Sequence, residues 1–62
     1  MDREKFKAQW HHLKHEIKEK WSDLTDEDLQ YISGEKGKLI EKLQEYYSLS
    51  RDAAEREIHR KL

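Results

Sequence analysis

The chain has 62 residues, of which 34% are hydrophobic and 44% charged, and its 13 basic and 14 acidic side chains give a net charge of −1. This length allows one small domain. The absence of cysteine excludes disulfides, cysteine-based zinc sites and thiol catalysis, and it is compatible with a reducing cytoplasm. The near-neutral balance argues against nonspecific nucleic-acid binding as the main activity. Apolar runs never exceed two residues, so we expect no membrane span and no export signal.

A periodic apolar stripe occupies the first third of the chain. Its residues are three or four positions apart, namely Phe6, Trp10, Leu13, Ile17, Trp21 and Leu24. This spacing is that of one face of an α-helix. We therefore predict a first helix from about Arg3 to Trp21, with both tryptophans in the hydrophobic core rather than available to stack on a ligand.

A second, short helix is predicted from a start signal and a stop signal. Thr25-Asp26-Glu27-Asp28 resembles a capping box, in which the threonine hydroxyl accepts a hydrogen bond from a backbone amide of the first turn. The helix carries Leu29 and Ile32, and Ser33-Gly34 ends it. Tyr31 lies off the apolar face of this helix, so we expect it to be exposed.

Two further helices are predicted in the second half of the chain. The third runs from about Glu35 to Tyr47, and its apolar face is formed by Leu39, Ile40, Leu43, Tyr46 and Tyr47. Ser50 is a favourable N-cap for the fourth helix. The apolar residues of that helix are Ala54, Ile58 and Leu62.

The two halves of the chain are similar to each other. The spacing of Leu13, Ile17 and Trp21 recurs 26 residues further on, at Leu39, Leu43 and Tyr47. Neither half could bury its apolar stripe alone, so the halves should pack together. The sequence therefore predicts a single all-α domain over residues 1–62. We expect a small bundle of four short helices, arranged as two packed helical hairpins with an approximate internal duplication.

Three of the four histidines lie close together on the first predicted helix. His11 and His15 are four residues apart, which places them on one helix face, as in a pair that chelates a divalent metal. The helical wheel places His11, His12 and His15 opposite the apolar stripe, and no third ligand is evident. We therefore interpret them as solvated side chains and predict no metal ion and no cofactor.

A basic junction lies between Gly34 and Lys42. Its G-x-x-G-K spacing differs from that of a phosphate-binding loop, and the strands that a KH domain requires have no counterpart in the pattern. A basic turn between helices can still contact phosphates, which makes Lys36, Lys38 and Lys42 candidate nucleic-acid contacts. The simpler interpretation is a flexible, solvated junction between two helices.

No combination of residues in the sequence indicates catalysis. Carboxylates are numerous, but the pattern isolates no pair of them in an apolar setting, which a raised pKa would require. No serine is placed beside a histidine in a way that suggests a nucleophile. We therefore expect a protein without enzymatic activity and assign no catalytic residue.

A longer stretch of sequence resembles the CsbD-like family of small bacterial proteins. The resemblance rests on residues 10–29, WHHLKHEIKEKWSDLTDEDL, and the second half agrees at Gly34, at LIEKLQEYY over 39–47 and at SRDAAEREI over 50–58. Family members often carry glycine at the positions of His15, Ser22, Glu41 and Ser48. The resemblance implies a hydrophilic, cytoplasmic, all-helical protein that is associated with the bacterial general stress response and has no assigned catalytic residues.

Three functions are open at this point. The first, implied by the resemblance, is a non-enzymatic stress-response protein that acts by binding a protein partner or by its abundance. The second is a small helical nucleic-acid-binding module that uses the junction between Gly34 and Lys42. The third is binding to a membrane surface, which requires a basic helix with an exposed apolar face and is disfavoured by tryptophans in the core. The small core could be supplemented by self-association, so we expect a monomer or a weak dimer.

Overall fold

The computed structural model describes residues 3–62, and these residues form five α-helices. Helix α1 spans Arg3–Ala8, α2 Trp10–Lys20, α3 Asp26–Ile32, α4 Lys36–Tyr47 and α5 Arg51–Lys61. No strand occurs in this range, so the all-α prediction is confirmed. Helix α4 has 12 residues, and none of the described helices combines the length and the apolar character of a membrane span. Helix α4 packs against α1, α3 and α5, and the pairing of helices as two hairpins stays a prediction.

Helices α1 and α2 replace the single first helix that the stripe predicted. Gln9 separates them, with φ −99° and ψ 11°, outside the α-helical region. Hydrogen bonds continue across the break, because the Gln9 amide donates to the Lys5 carbonyl at 2.9 Å and the Leu13 amide donates to the Gln9 carbonyl at 2.8 Å. Helix α1 packs against α4 and fully buries Phe6. Neither glycine nor proline marks this break, so the sequence predicted four helices where the described residues form five.

One hydrophobic core joins the helices. Every residue of the predicted stripe contributes to it, with Trp10 partly buried and the others buried. Among the described residues, the buried members are Phe6, Leu13, Ile17, Trp21, Leu24, Leu29, Ile32, Leu39, Ile40, Leu43, Ala54 and Ile58. Trp21 is only 3% exposed, which confirms that it is a core residue rather than a surface platform.

The two ends of α3 follow their sequence signals. Thr25 is the N-cap, and its side chain and that of Asp28 form the reciprocal hydrogen bonds of a capping box. Ser33 and Gly34 then adopt left-handed conformations, with φ 41° and 85°. A Cβ atom on Gly34 would also lie 3.4 Å from the Cα atom of Lys7. Glycine therefore suits both the turn geometry and the close approach of α1.

Helices α4 and α5 also begin and end near the predicted residues. Glu35 is the N-cap of α4, which begins one residue later than predicted and ends at Tyr47. Ser48 follows it in a left-handed conformation, with φ 54°. Ser50 caps α5, because its hydroxyl accepts a hydrogen bond from the Ala53 amide at 3.1 Å.

We predict that Trp21→Ala unfolds the domain. The loss of a buried tryptophan costs about 3–5 kcal/mol, which is comparable with the whole stability of a domain this small. Circular dichroism should show little helix even without denaturant. His12→Ala, at an exposed position of α2, should melt like the parent chain. A native-like melt of Trp21→Ala would contradict the core assignment.

We predict that Ser48→Gly stabilises the fold. A residue other than glycine in the left-handed conformation costs about 1 kcal/mol, and glycine removes this cost at the expense of some chain entropy. The midpoint of thermal unfolding should rise by roughly 4 °C. Ser22→Gly is the matched control, since Ser22 has no positive φ angle, and its midpoint should stay the same or fall. Equal stabilisation by both substitutions would show that the backbone at Ser48 is not strained.

Candidate functional site

A buried carboxylate lies in the first turn of α3. Asp28 is 7% exposed and is the only charged residue buried in the part of the chain that the structure describes. Its Oδ2 atom accepts hydrogen bonds from the Thr25 amide at 3.0 Å, the Thr25 hydroxyl at 3.1 Å and the Tyr46 hydroxyl at 2.6 Å. Asp28 therefore joins the start of α3 to the end of α4.

These hydrogen bonds keep the Asp28 carboxylate ionised. The Tyr46 hydroxyl, followed by the backbone amide of Thr25, lowers the pKa of Asp28 to about 2. The same bond raises the pKa of Tyr46, so the phenol stays protonated and donates. A group that is ionised throughout the physiological pH range cannot supply a proton, so Asp28 is suited to a structural role and not to general acid catalysis.

Lys42 completes the surroundings of Asp28. Its Nζ atom lies 3.5 Å from Oδ1 of Asp28 and 3.6 Å from Oε2 of Glu45. It also lies over the rings of Tyr31 and Tyr46, at 4.9 and 6.0 Å from their centroids. Burial opposes the charge, but Glu45 and Asp28 outweigh it, and the pKa of Lys42 is raised. Lys42 is therefore a fixed cation between two tyrosines.

Tyr31 and Lys38 extend this arrangement along α4. The Nζ atom of Lys38 lies 5.0 Å from the centroid of the Tyr31 ring and 2.8 Å from Oε2 of Glu35. The Tyr31 hydroxyl donates to Oε1 of Glu41 at 3.3 Å. Tyr31 is 44% exposed, as predicted, and Tyr46 is 40% exposed. We call the surface formed by Tyr31, Lys38, Lys42 and Tyr46 the tyrosine face.

The three lysines proposed from the sequence as nucleic-acid contacts do not form one patch. Lys38 and Lys42 lie together on the tyrosine face, where each is paired with a carboxylate. Lys36 is directed towards α5, where its Nζ atom lies 3.4 Å from Nε2 of His59. The structure thus directs Lys36 to a different partner from Lys38 and Lys42, and a role for the three lysines in nucleic-acid contact stays a prediction.

The histidines of α2 are exposed, as the helical wheel predicts. These are His11, His12 and His15. Across residues 3–62, no group of three or more histidine, cysteine or carboxylate side chains is arranged to hold a metal ion. His11 and His15 are therefore a solvated i, i+4 pair, and the described residues place no third potential metal ligand with them.

Comparisons with known proteins place the chain in a family. It is 45% identical to a UPF0337 protein of Pseudomonas aeruginosa over 58 residues, which are 94% of this chain and 89% of that protein. It is 36% identical to the UPF0337 protein YjbJ of Escherichia coli over 58 residues, 94% of this chain and 84% of that protein. The chain belongs to the UPF0337 family. UPF0337 is the CsbD-like family, so the family prediction is confirmed. No family model matches the chain, and no solved structure does.

The sequence of this UPF0337 chain did not reveal the contact between Asp28 and Tyr46. Tyr46 was predicted on the apolar face of α4, whereas its ring is exposed and its hydroxyl reaches α3. Asp28 was assigned only to the capping box. One local signal was present, because Asp28 precedes Ile32 by four residues and therefore shares the buried face of α3. Asp28 and Tyr46 are 18 positions apart, which is too far for any helical pattern to relate them.

We predict that Tyr46→Phe destabilises this UPF0337 chain and raises the pKa of Asp28. A carboxyl group whose pKa is lower in the folded state stabilises the fold above its unfolded pKa, and this contribution is lost as the pH falls through the folded pKa. The parent chain should therefore lose stability between about pH 4 and pH 2. Tyr46→Phe should cost about 1–2 kcal/mol at neutral pH and reduce this pH dependence. Urea unfolding and an NMR titration of the Asp28 carboxyl carbon measure both effects.

Tyr31→Phe is the matched control for this experiment. Its hydroxyl contacts the exposed Glu41 and not Asp28. The pKa of Asp28 should be the same in Tyr31→Phe as in the parent chain. A pKa near 4 in the parent, or one that Tyr46→Phe leaves unchanged, would disprove the role of the Tyr46 hydroxyl.

Proposed function

We propose that this chain is a non-enzymatic protein of the bacterial general stress response, which acts in the cytoplasm by binding a protein partner. Its membership of the UPF0337 family supports the proposal, because the CsbD-like resemblance implies an association with that response. Action through abundance alone is the other form of this function. The two forms differ in whether any particular surface of the protein is required.

The tyrosine face is the observation that favours a partner. Its two exposed rings are held by hydrogen bonds, from Tyr31 to Glu41 and from Tyr46 to Asp28. Lys38 and Lys42 lie over the rings. Side chains that are already ordered lose little conformational entropy on binding, and tyrosine is enriched among the residues that dominate interface energies. Such a surface suits a protein partner that offers an apolar pocket for the tyrosine rings.

The protonation states of Asp28 and Lys42 support a binding role rather than a catalytic one. Asp28 is enclosed by donors and is ionised, with a pKa of about 2. Lys42, next to it, has a raised pKa and remains a cation. Neither group is poised to exchange a proton near neutral pH, which general acid–base catalysis requires.

Nucleic-acid binding through Lys36, Lys38 and Lys42 is the alternative function. It has less support from the geometry, because Lys38 lies 2.8 Å from Glu35 and Lys42 lies 3.5 Å from Asp28. A phosphate would have to displace these carboxylates from both lysines. The exposed surface of the two tyrosines is not explained by this alternative.

The proposed function can be tested in Pseudomonas aeruginosa that lacks its 45% identical UPF0337 protein. We expect the deletion strain to survive osmotic and stationary-phase stress less well than its parent, and we expect expression of this chain to restore survival. Tyr31→Ala, which changes an exposed residue of the tyrosine face, should fail to restore survival. His12→Ala, an exposed residue of α2 outside this face, should restore it at equal protein level.

Each outcome of the complementation experiment has a different meaning. Equal rescue by Tyr31→Ala and by the parent chain would replace partner binding with action through abundance. A deletion strain with unchanged survival would contradict the stress-response function. The same conclusion would follow if the parent chain failed to rescue although it accumulated to the level of the missing protein.

A further inference from the structure

Side chains from three helices line a groove beside the tyrosine face. Lys7 of α1, Lys36 and Lys38 of α4 and Arg51 of α5 line an open cavity of about 490 Å³, together with Gly34 and Gly37. We call this cavity the basic groove. It draws its cations from distant parts of the sequence, and Lys7 and Arg51 are the two that the sequence did not indicate as candidate contacts.

Lys7, Lys36 and Arg51 differ in their contacts from the three lysines that form ion pairs. Lys18, Lys38 and Lys42 each lie within 4.0 Å of a carboxylate oxygen. Lys7 and Arg51 form no ion pair with any residue of the described range 3–62. The Lys36 ammonium lies 3.4 Å from Nε2 of the His59 imidazole, which is not a carboxylate.

Two glutamates also line the basic groove, and they do not balance its charge. Glu35 is paired with Lys38 at 2.8 Å. Glu55 is then the remaining carboxylate in the lining, against Lys7, Lys36 and Arg51. Cations held near one another without enough counter-charge repel each other and favour an anion between them. This excess occurs in a chain whose overall charge is only −1.

Gly37 faces open space at the basic groove, and Gly34 lets the turn before α4 lie close to α1. Gly34 has φ 85°, and a Cβ atom there would lie 3.4 Å from Lys7, so the turn between α3 and α4 lies directly against α1. A Cβ atom on Gly37 would meet nothing within 4 Å. The absence of a side chain at Gly37 therefore leaves space at the lining of the groove, where ligand atoms can approach the backbone.

We propose that the basic groove binds a phosphate group, such as that of a nucleic-acid backbone or of a free phosphate. A guanidinium can donate two parallel hydrogen bonds to phosphate oxygens, and two ammonium groups can neutralise the remaining charge. Against the single carboxylate of Glu55, the three cations leave an excess of two positive charges. This excess matches a phosphate dianion and is more than enough for a backbone phosphate, which carries one charge. The site goes beyond the proposed function and does not depend on it, because it is argued from Lys7, Lys36 and Arg51. Of the tyrosine face, only Lys38 also lines the groove, and it is already paired with Glu35.

The test is a titration of the full chain, followed by amide proton–nitrogen NMR at low ionic strength. The probes are inorganic phosphate and a ten-nucleotide single-stranded DNA, with chloride as the control anion. We expect both probes to shift the amides of residues 34–38 and of Arg51. In a double variant, Lys7→Gln with Arg51→Gln, the affinity for either probe should fall at least tenfold.

A matched variant separates the site from general electrostatics. Lys20→Gln with Arg60→Gln removes the same charge from exposed positions of α2 and α5 outside the groove, and its affinity should fall less than threefold. A third variant, Lys42→Gln, removes a lysine of the tyrosine face that does not line the groove, and its affinity should also fall less than threefold. The dispersion of the amide spectrum verifies that every variant is folded.

The two probes identify the source of the phosphate. Tighter binding of the oligonucleotide, with an affinity that falls steeply as salt increases, assigns the groove to a nucleic-acid backbone. Equal or tighter binding of inorganic phosphate assigns it to a free phosphate. The proposal is wrong if neither probe shifts residues 34–38 and Arg51. It is also wrong if the groove variant and the matched variant lose affinity equally.

Discussion

Every helix of this protein depends on the core around α4, because none of them is long enough to be stable alone. Isolated helices shorter than roughly 12–15 residues are marginal in water, and the described helices have between 6 and 12 residues. No cysteine is present to crosslink the chain. Helix α4 contributes Leu39, Ile40 and Leu43, and it contacts α1, α3 and α5. Packing against one central helix thus supplies the stability that larger domains gain from longer helices and that disulfide-bonded domains gain from covalent links.

The buried carboxylate follows from the same constraint. Helix α3 has only seven residues, so its first turn needs the capping box as well as the core. Placing Asp28 there brings a charge into the edge of the core, which is unfavourable unless donors surround it. Thr25, Tyr46 and Lys42 supply those donors and the opposite charge. The polar cluster therefore stabilises the short helix and holds the end of α4, and it orders Tyr46 as a consequence.

Local signals in the sequence were sufficient to place the helical segments but not the break at Gln9, and tertiary contacts were not accessible from them. The stripe from Phe6 to Leu24 and the caps at Thr25 and Ser50 act within a few residues, so spacing alone revealed them. The break at Gln9 has no glycine or proline to mark it, since it accompanies the packing of α1 on α4. Tyr46 was misplaced because aromatic residues at helical spacing are usually apolar contacts, and its hydroxyl partner lies on another helix.

The same limit applies to the charged residues, and it explains why the candidate site changed. Lys36, Lys38 and Lys42 are close in sequence, which suggested one patch. Around a helix, residues two apart point in nearly opposite directions. The ammonium groups of Lys36 and Lys38 therefore have different partners, although both side chains line the basic groove. The folded chain then pairs Lys38 and Lys42 with carboxylates and combines Lys36 with cations from α1 and α5. The lysines of the tyrosine face are paired with carboxylates. The basic groove, in contrast, keeps an excess of positive charge. The two surfaces therefore suit ligands of different chemistry, which is a stronger guide to function here than the charge of the whole chain.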